Sequence, residues 1–143
     1  MKRVYPAEEF CVACRLCEVY CATEHSQSRD VIRAFKEEQP PPTKRIFLQQ
    51  EGAASLAINC RHCDEPRCVW ACVAGALTKD PVTGVVNYQP EKCIGCWTCL
   101  VACPYGVIVR DPNRPKIAKC DLCPGRDVPV CVAVCPNRAL VLS

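Results

Sequence analysis

Residues 93–104 read Cys-Ile-Gly-Cys-Trp-Thr-Cys-Leu-Val-Ala-Cys-Pro, a C-x2-C-x2-C-x3-C-P run. This spacing is typical of segments that bind a [4Fe–4S] cluster, because each of the four iron corners needs a thiolate ligand. Two-residue spacers let the first three sulfurs curl round one cluster, whereas the fourth points towards a neighbouring cluster. Gly95 suits the loop because glycine tolerates positive φ angles. Pro104 ends the short helix that begins near Cys99.

The same design occurs four times in the chain. The first and third runs share this spacing, and the second and fourth runs have a longer middle gap, of four and seven residues. Together they use all sixteen cysteines: Cys11, Cys14, Cys17 and Cys21; Cys60, Cys63, Cys68 and Cys72; Cys93, Cys96, Cys99 and Cys103; Cys120, Cys123, Cys131 and Cys135. The ligand count therefore predicts four [4Fe–4S] clusters.

Two other classes of protein also contain many cysteines. A disulfide scaffold is typical of small secreted proteins, but Met1–Pro6 contains no apolar run that would indicate export. A structural zinc site usually joins two separated C-x2-C pairs. Each run here supplies four cysteines within about twenty residues, which favours clusters over zinc.

Charge and hydropathy limit the other classes of function. The formal net charge of +3 changes to about −5 once the bound thiolates and four oxidised cluster cores are counted. We therefore expect no nucleic-acid partner, and interpret the scattered Lys and Arg residues as compensation for anionic clusters. No stretch approaches the length of about eighteen apolar residues that spans a membrane. The expected location is an anaerobic cytoplasm.

Short apolar segments alternate with the cysteine runs. Lys2–Tyr5 and Ala139–Leu142 are strand candidates that we expect to pair and so to bring both ends of the chain together. Turn-forming residues between other apolar segments predict hairpins. The hairpins join 44–49 with 56–58, 76–79 with 85–88, and 107–110 with 116–119.

The segment that follows the first run contains no cysteine. A helical turn is predicted at 30–36 and an extended stretch at 39–43. This insertion is either a docking surface for a partner or a cover over the first two clusters. His62 is interpreted as a non-ligand, because four cysteines already satisfy its cluster. His25 has no partner ligand and is expected at the surface.

The order of cysteine run, hairpin and cysteine run forms an internal repeat. It predicts one α+β domain, residues 1–143, built from two pseudo-symmetric lobes that each bind two clusters. The outer lobe consists of 1–25 plus 105–143, the nested lobe of about 55–104, and the insertion of 26–54.

The pattern resembles the four-cluster ferredoxin-like electron-transfer subunits of bacterial and archaeal oxidoreductases. Cys-Ala-Thr-Glu-His-Ser-Gln-Ser at 21–28 and Cys-Arg-His-Cys-Asp-Glu-Pro at 60–66 look like the branch associated with CO dehydrogenase and aldehyde:ferredoxin oxidoreductase. The family implies two bacterial-type ferredoxin lobes with crossed ligation. In it, Cys11, Cys14 and Cys17 act with Cys135; Cys120, Cys123 and Cys131 with Cys21; Cys60, Cys63 and Cys68 with Cys103; and Cys93, Cys96 and Cys99 with Cys72.

The expected function is electron transfer, with no catalytic residue in the chain itself. Every cluster iron has its thiolate, and no G-x-G-x-x-G fingerprint for a nucleotide cofactor occurs. The resemblance implies a relay between a catalytic metalloenzyme subunit (a tungsten aldehyde oxidoreductase or a CO dehydrogenase) and a flavin or NAD reductase subunit or a ferredoxin. A freely diffusing polyferredoxin and, from another class, a zinc-stabilised interaction module are the alternatives.

Overall fold

The computed structural model describes residues 2–143, and its regular elements are short. The helices of this part are α1 (Leu16–Glu24), α2 (Val31–Lys36), α3 (Arg67–Ala71), α4 (Thr98–Ala102) and α5 (Val130–Val134). The strands are β1 (Val4–Pro6), β2 (Ile46–Glu51), β3 (Ala54–Asn59), β4 (Leu77–Lys79), β5 (Val86–Tyr88), β6 (Val109–Arg110), β7 (Ile117–Ala118) and β8 (Leu140–Leu142). No helix within 2–143 is long and apolar enough to cross a membrane. The fold is a small α+β fold of short helices and hairpins.

The strands form four separate two-stranded antiparallel ladders. The first and last strands pair, with Val4 opposite Leu142, and the backbone of Arg3 and Ser143 extends this ladder by two hydrogen bonds of 2.7 and 2.8 Å. This confirms the predicted pairing of the two chain ends. The ladders β2–β3, β4–β5 and β6–β7 confirm the three predicted hairpins.

Turn chemistry explains where two of these hairpins reverse. Asp80 Oδ1 accepts hydrogen bonds from the backbone N–H groups of Val82 and Thr83 at 2.7 and 3.2 Å. Asp111 Oδ1 accepts in the same way from the N–H of Asn113 at 2.9 Å. An aspartate that bonds its own backbone two residues on stabilises a turn, so both hairpins are fixed by local sequence.

Buried side chains form two separate apolar clusters, and cysteines belong to both. The first contains Val4, Cys17, Cys21, Ile46, Leu48, Ala57, Cys131 and Leu140. The second contains Leu77, Val86, Cys99, Ile108 and Ile117. The buried members of these two clusters include no Phe, Trp or Tyr. Cysteine side chains, which pack as small apolar groups, fill part of the core instead.

The insertion has two structurally different halves. Its hairpin β2–β3 packs into the first apolar cluster, so this half covers the first cysteine run. Its other half begins with helix α2, whose first turn is capped by Asp30 through the N–H of Arg33 at 3.0 Å. Residues 37–43 then line one side of an open cleft of about 1080 Å³. The predicted helical turn is therefore confirmed, and Ala34 of this helix is fully buried, so this half of the insertion also packs against the rest of the chain.

Candidate metal centres

None of the sixteen cysteines forms a disulfide bond. They lie in groups that combine distant parts of the chain. Cys11, Cys14 and Cys17 line one cavity together with Cys135, and the aliphatic side chains of Leu48 and others complete its wall. The fourth cysteine of the last run is thus next to the first three cysteines of the first run.

The second group combines three cysteines of the last run with the fourth cysteine of the first run. The Cys131 thiol lies close enough to Cys120, Cys123 and Cys21 for their charges to act on it. Besides burial, the thiolate charges of Cys120 and Cys123 also raise the pKa of Cys21. Here the fourth cysteine of the first run accompanies three cysteines of the last run.

The middle runs behave in the same way. Besides burial, the thiolate charges of Cys60 and of Cys103, the fourth cysteine of the third run, raise the pKa of both Cys63 and Cys68. Besides burial, the thiolate charges of Cys72, the fourth cysteine of the second run, of Cys68 in the same run and of Cys93 in its own run raise the pKa of Cys99. Cys96, in the loop between these two, is exposed, and its sulfur accepts a hydrogen bond from Thr98 Oγ1 at 3.4 Å.

Four short helices join these groups in pairs. Helix α1 carries Cys17 and Cys21, and helices α3, α4 and α5 each carry one cysteine and end at another four residues later. Positions four apart lie on the same helix face, one turn or about 6 Å apart along the axis. Each helix therefore presents sulfur to two neighbouring groups, which is the physical basis of the three-residue final gap.

Backbone N–H groups donate hydrogen bonds to several of the sulfurs. Ala76 N–H donates to Cys72 at 3.3 Å and Ala139 N–H donates to Cys135 at 3.2 Å, so the fourth cysteines of two runs share one geometry. Arg45 N–H donates to Cys21 at 3.2 Å from the start of the insertion's hairpin. Such donors stabilise negative charge on a sulfur that ligates a cluster.

The loops that hold the first three cysteines contain residues with positive φ. In the third run Gly95 has φ +73° and Trp97 has φ +63°. In the first run Ala13 and Arg15, at the equivalent places, have φ +55° and +63°. This shared backbone conformation explains why the two identically spaced runs fold alike.

The loop of the third cysteine run is held in place by contacts from another part of the chain. The guanidinium of Arg110 lies 4.5 Å from the centre of the Trp97 ring, a cation–π contact. Lys116 Nζ donates a hydrogen bond to the carbonyl of Cys93. Both contacts come from the hairpin β6–β7, so this hairpin positions the cysteines that precede it.

Burial makes these thiols poor acids in the absence of a metal. Burial, with a smaller contribution from neighbouring thiolates, raises the pKa of Cys21 to about 12 and that of Cys17 and Cys99 to about 11. Four crowded thiolates in an apolar site need a compensating cation. A metal core supplies that positive charge and deprotonates its ligands, so the donor set fits iron–sulfur clusters.

Exposure differs between the groups. Cys14 and Cys96 are exposed, and the other fourteen cysteines are buried or partly buried. The apolar neighbours Val12 and Ile94, two residues before them, are 60% and 66% exposed. The first and the third run therefore each present one sulfur at the surface beside apolar side chains.

His25 is not a surface residue, contrary to the expectation from sequence. Its side chain is 13% exposed, Nδ1 lies 2.8 Å from the carbonyl of Cys21, and Nε2 lies 3.1 Å from Asp121 Oδ1. Arg45 binds the other oxygen of Asp121 at 3.1 Å. Burial raises the pKa of Asp121, but His25, Arg45 and the N–H of Cys123 outweigh burial and hold this pKa at about 2.

His62 is buried and its Nδ1 accepts a hydrogen bond from the N–H of Val86 at 2.9 Å. Burial, together with the positive charges of the nearby Lys119 and Lys79, lowers its pKa to about 3. The imidazole is therefore neutral at pH 7, with the proton on Nε2. Its hydrogen bond joins the second cysteine run to the strand β5.

Comparison with known proteins identifies the family. The model of the 4Fe-4S dicluster domain matches residues 53–143. The chain is 37% identical to the electron transport protein HydN of Escherichia coli K12, over 92% of this chain and 81% of the relative. It is 36% identical to the beta subunit of the NADH-dependent phenylglyoxylate dehydrogenase of Aromatoleum evansii, over 98% of this chain and 30% of that longer protein.

A solved structure has a similar fold. It is a chain of the active site complex BamBC of benzoyl coenzyme A reductase, determined with benzoyl-CoA. The superposition has a TM-score of 0.53 at 22% identity and covers all of this chain and 79% of the other. This likeness concerns the fold, whereas the family model and HydN match the amino-acid sequence. The chain therefore belongs to the 4Fe-4S dicluster domain family.

Proposed function

We propose that the chain binds four [4Fe–4S] clusters through four ligand sets that follow the cysteine groups. The first set is Cys11, Cys14, Cys17 and Cys135; the second is Cys21, Cys120, Cys123 and Cys131; the third is Cys60, Cys63, Cys68 and Cys103; the fourth is Cys72, Cys93, Cys96 and Cys99. Each bound cluster supplies a one-electron carrier whose potential depends on charge, hydrogen bonds and exposure.

The contacts between groups give the sets a linear order. Helix α1 joins the first set to the second, and helix α4 joins the third to the fourth. Cys60 of the third set acts electrostatically on Cys120 of the second. The order first, second, third, fourth follows, and it makes the chain a path for electrons with two ends.

Two nested lobes agree with this order. The outer lobe, residues 1–25 plus 105–143, holds the first two sets, and the nested lobe, about 55–104, holds the other two. The first apolar cluster lies mostly in the outer lobe and the hairpin that packs on it, whereas the second joins Leu77 and Val86 of the nested lobe to Ile108 and Ile117 of the outer lobe. The insertion, 26–54, then covers the outer lobe through its hairpin.

The observation that carries the relay is the exposure of Cys14 and Cys96. They belong to the two terminal sets of the series, whereas the second and third sets have no exposed cysteine. Electron transfer falls steeply with distance, so a partner must approach a set with ligands at the surface. We therefore propose one partner at each end.

The partners that fit best are the subunits of an oxidoreductase in an anaerobic cytoplasm. We propose a tungsten aldehyde oxidoreductase or a CO dehydrogenase as the catalytic metalloenzyme, and a flavin or NAD reductase subunit or a ferredoxin at the other end. The support is the resemblance at 21–28 and 60–66, together with relatives that are named as an electron transport protein and as a subunit of an NADH-dependent dehydrogenase. The chain acts as carrier, and the partners supply catalysis.

The relay is tested in native extract under anaerobic conditions. Affinity-tagged chain should elute in a stable complex that contains W, Mo or Ni, and its clusters should be reduced by CO or by an aldehyde. Val101→Glu places a charge beside the fourth set, and Val82→Glu is the matched control, since the two side chains are 88% and 87% exposed. We expect Val101→Glu to slow reduction and Val82→Glu to leave it unchanged.

Other outcomes identify the alternatives. A lone monomer that exchanges electrons equally well with unrelated enzymes would establish a diffusing polyferredoxin. Colourless folded protein that contains zinc would establish an interaction module. Equal effects of the two valine variants would contradict an entry or exit point at the fourth set.

A further inference from the structure

Lys119 is a buried lysine between two ligand sets. It is 2% exposed, and its Nζ donates hydrogen bonds to the carbonyls of Val86 at 2.7 Å and Cys120 at 2.8 Å. It therefore connects strand β5 to the start of the fourth cysteine run. Burying an ammonium group costs several kcal/mol unless a negative charge compensates it, on the order of the Born penalty after relaxation.

No carboxylate in the described part of the chain provides that charge. Lys119 belongs to none of the ion pairs among residues 2–143. The acidic side chain next to it in sequence, Asp121, is engaged by His25 and Arg45. Carbonyl oxygens satisfy hydrogen bonds of the ammonium but do not neutralise it.

The thiolates of the second and third sets are the remaining candidates. The Nζ of Lys119 binds the carbonyl of Cys120 in the second set. Val86, whose carbonyl it also binds, donates its N–H at 2.9 Å to His62, which lies between Cys60 and Cys63 of the third set. Asn59 directly precedes Cys60 of the third set, and its Nδ2 lies 3.7 Å from the Sγ of Cys120 in the second set. Lys119 thus lies where the third set meets the second, at the step that joins the two lobes.

We propose that Lys119 raises the reduction potentials of the two centres bound by the second and third ligand sets, and so favours electron passage between the lobes. This inference rests on the ligand sets proposed above. An oxidised centre with four thiolates has a charge of about −2, and one added electron makes it more negative. A fixed ammonium stabilises the reduced form more than the oxidised form, so no proton needs to accompany the electron.

The test compares neutral variants with a matched lysine. Lys119→Met removes charge and hydrogen bonds, whereas Lys119→Gln removes the charge and keeps donors. Lys92→Met is the control, because Lys92 also precedes a ligand cysteine but is exposed. The readout is a dithionite potentiometric titration followed by EPR on fully loaded protein.

We expect both neutral variants of Lys119 to lower the potentials of two of the four centres. The reduction equilibrium should shift about tenfold, which is about 59 mV for one electron. Lys119→Arg should restore the potentials, and Lys92→Met should leave all four unchanged. Equal shifts in Lys119→Met and Lys119→Gln would show that the charge of Lys119, and not its hydrogen bonds, sets the potentials. A purely structural role would not shift the potentials of fully loaded protein.

Three results would overturn the proposal. They are unchanged potentials in loaded Lys119→Gln, a shift confined to one centre, and loss of iron from both neutral variants while Lys119→Arg and Lys92→Met remain loaded. In the last case Lys119 has a structural role. The relay itself fails separately, if the native chain binds fewer than four clusters or forms no complex.

Discussion

The backbone N–H of Leu48 donates a hydrogen bond of 2.6 Å to Oε1 of Glu18, a carboxylate that is 7% exposed. The bond joins helix α1, which carries Cys17 and Cys21, to strand β2 of the insertion. Lys44 and Arg15 form ion pairs with the same carboxylate at 3.1 Å. Burial raises the pKa of Glu18, but these three partners outweigh it and the pKa is lowered. The insertion is therefore held to the first cysteine run through one charged side chain.

Replacing this carboxylate should weaken the cover over the first ligand set. Glu18→Leu leaves the buried N–H of Leu48 without an acceptor, which costs about 1–3 kcal/mol, whereas Glu18→Gln keeps an acceptor and should cost less. The measurement is the rate at which the brown absorbance is lost in air. Glu91→Gln, at an exposed position, is the control and should match the native rate. A rate for Glu18→Leu equal to that of the control would show that the bond is dispensable.

The third run should not tolerate a side chain at Gly95. A Cβ there would lie 2.6 Å from the carbonyl oxygen of Pro115, and the backbone has φ +73°. Gly95→Ala should therefore displace the loop and lower the iron content of the purified protein by about one cluster of four irons. Gly52→Ala is the control, with φ +59° and nothing within 4 Å of the added Cβ. Full iron in Gly95→Ala would contradict the tight contact with Pro115.

His62 should make the folded protein less stable as the pH falls. Its pKa is lowered to about 3 in the folded state, whereas in the unfolded chain it is about 6.5. Between these values the unfolded state binds more protons, so stability decreases by about 1.4 kcal/mol per pH unit on acidification. Cluster loss should accelerate from pH 6.5 to 4.5, and less steeply in His62→Gln, whose amide does not titrate. If the rate of cluster loss depended on pH in the same way in the native protein and in His62→Gln, the titration of His62 would not control acid stability.

Crossed ligation predicts an effect at long range. Cys135→Ser should alter the EPR and Mössbauer signals of the cluster bound by Cys11, Cys14 and Cys17, because these four cysteines line one cavity. The matched variant Cys21→Ser should alter the cluster bound by Cys120, Cys123 and Cys131. Damage confined in each case to the cluster of the mutated residue's own run would show that ligation is not crossed.

Local sequence patterns were sufficient to predict much of the fold. The three hairpins and the terminal ladder were predicted from short apolar segments beside turn residues, because such turns are stabilised within a few residues, as Asp80 and Asp111 show. The cysteine runs were evident from their spacing, since one cluster requires closely spaced ligands.

Long-range polar contacts could not be predicted from the sequence. His25 and Asp121 are 96 residues apart, and no motif connects them. Lys119 and Lys92 have the same sequence context, each directly before a ligand cysteine, yet Lys119 is buried and Lys92 is exposed. The difference arises from packing against strand β5, and packing between distant segments leaves no local signal.

The central claim is that this chain carries four [4Fe–4S] clusters. The most direct measurement is the iron and acid-labile sulfide content of anaerobically purified protein, with Mössbauer spectroscopy to identify the cluster type. We expect about sixteen irons and sixteen sulfides per chain, all in the spectrum of [4Fe–4S] centres. A reproducible content of about eight irons in fully folded protein would contradict it, since two clusters use only half of the sixteen cysteines.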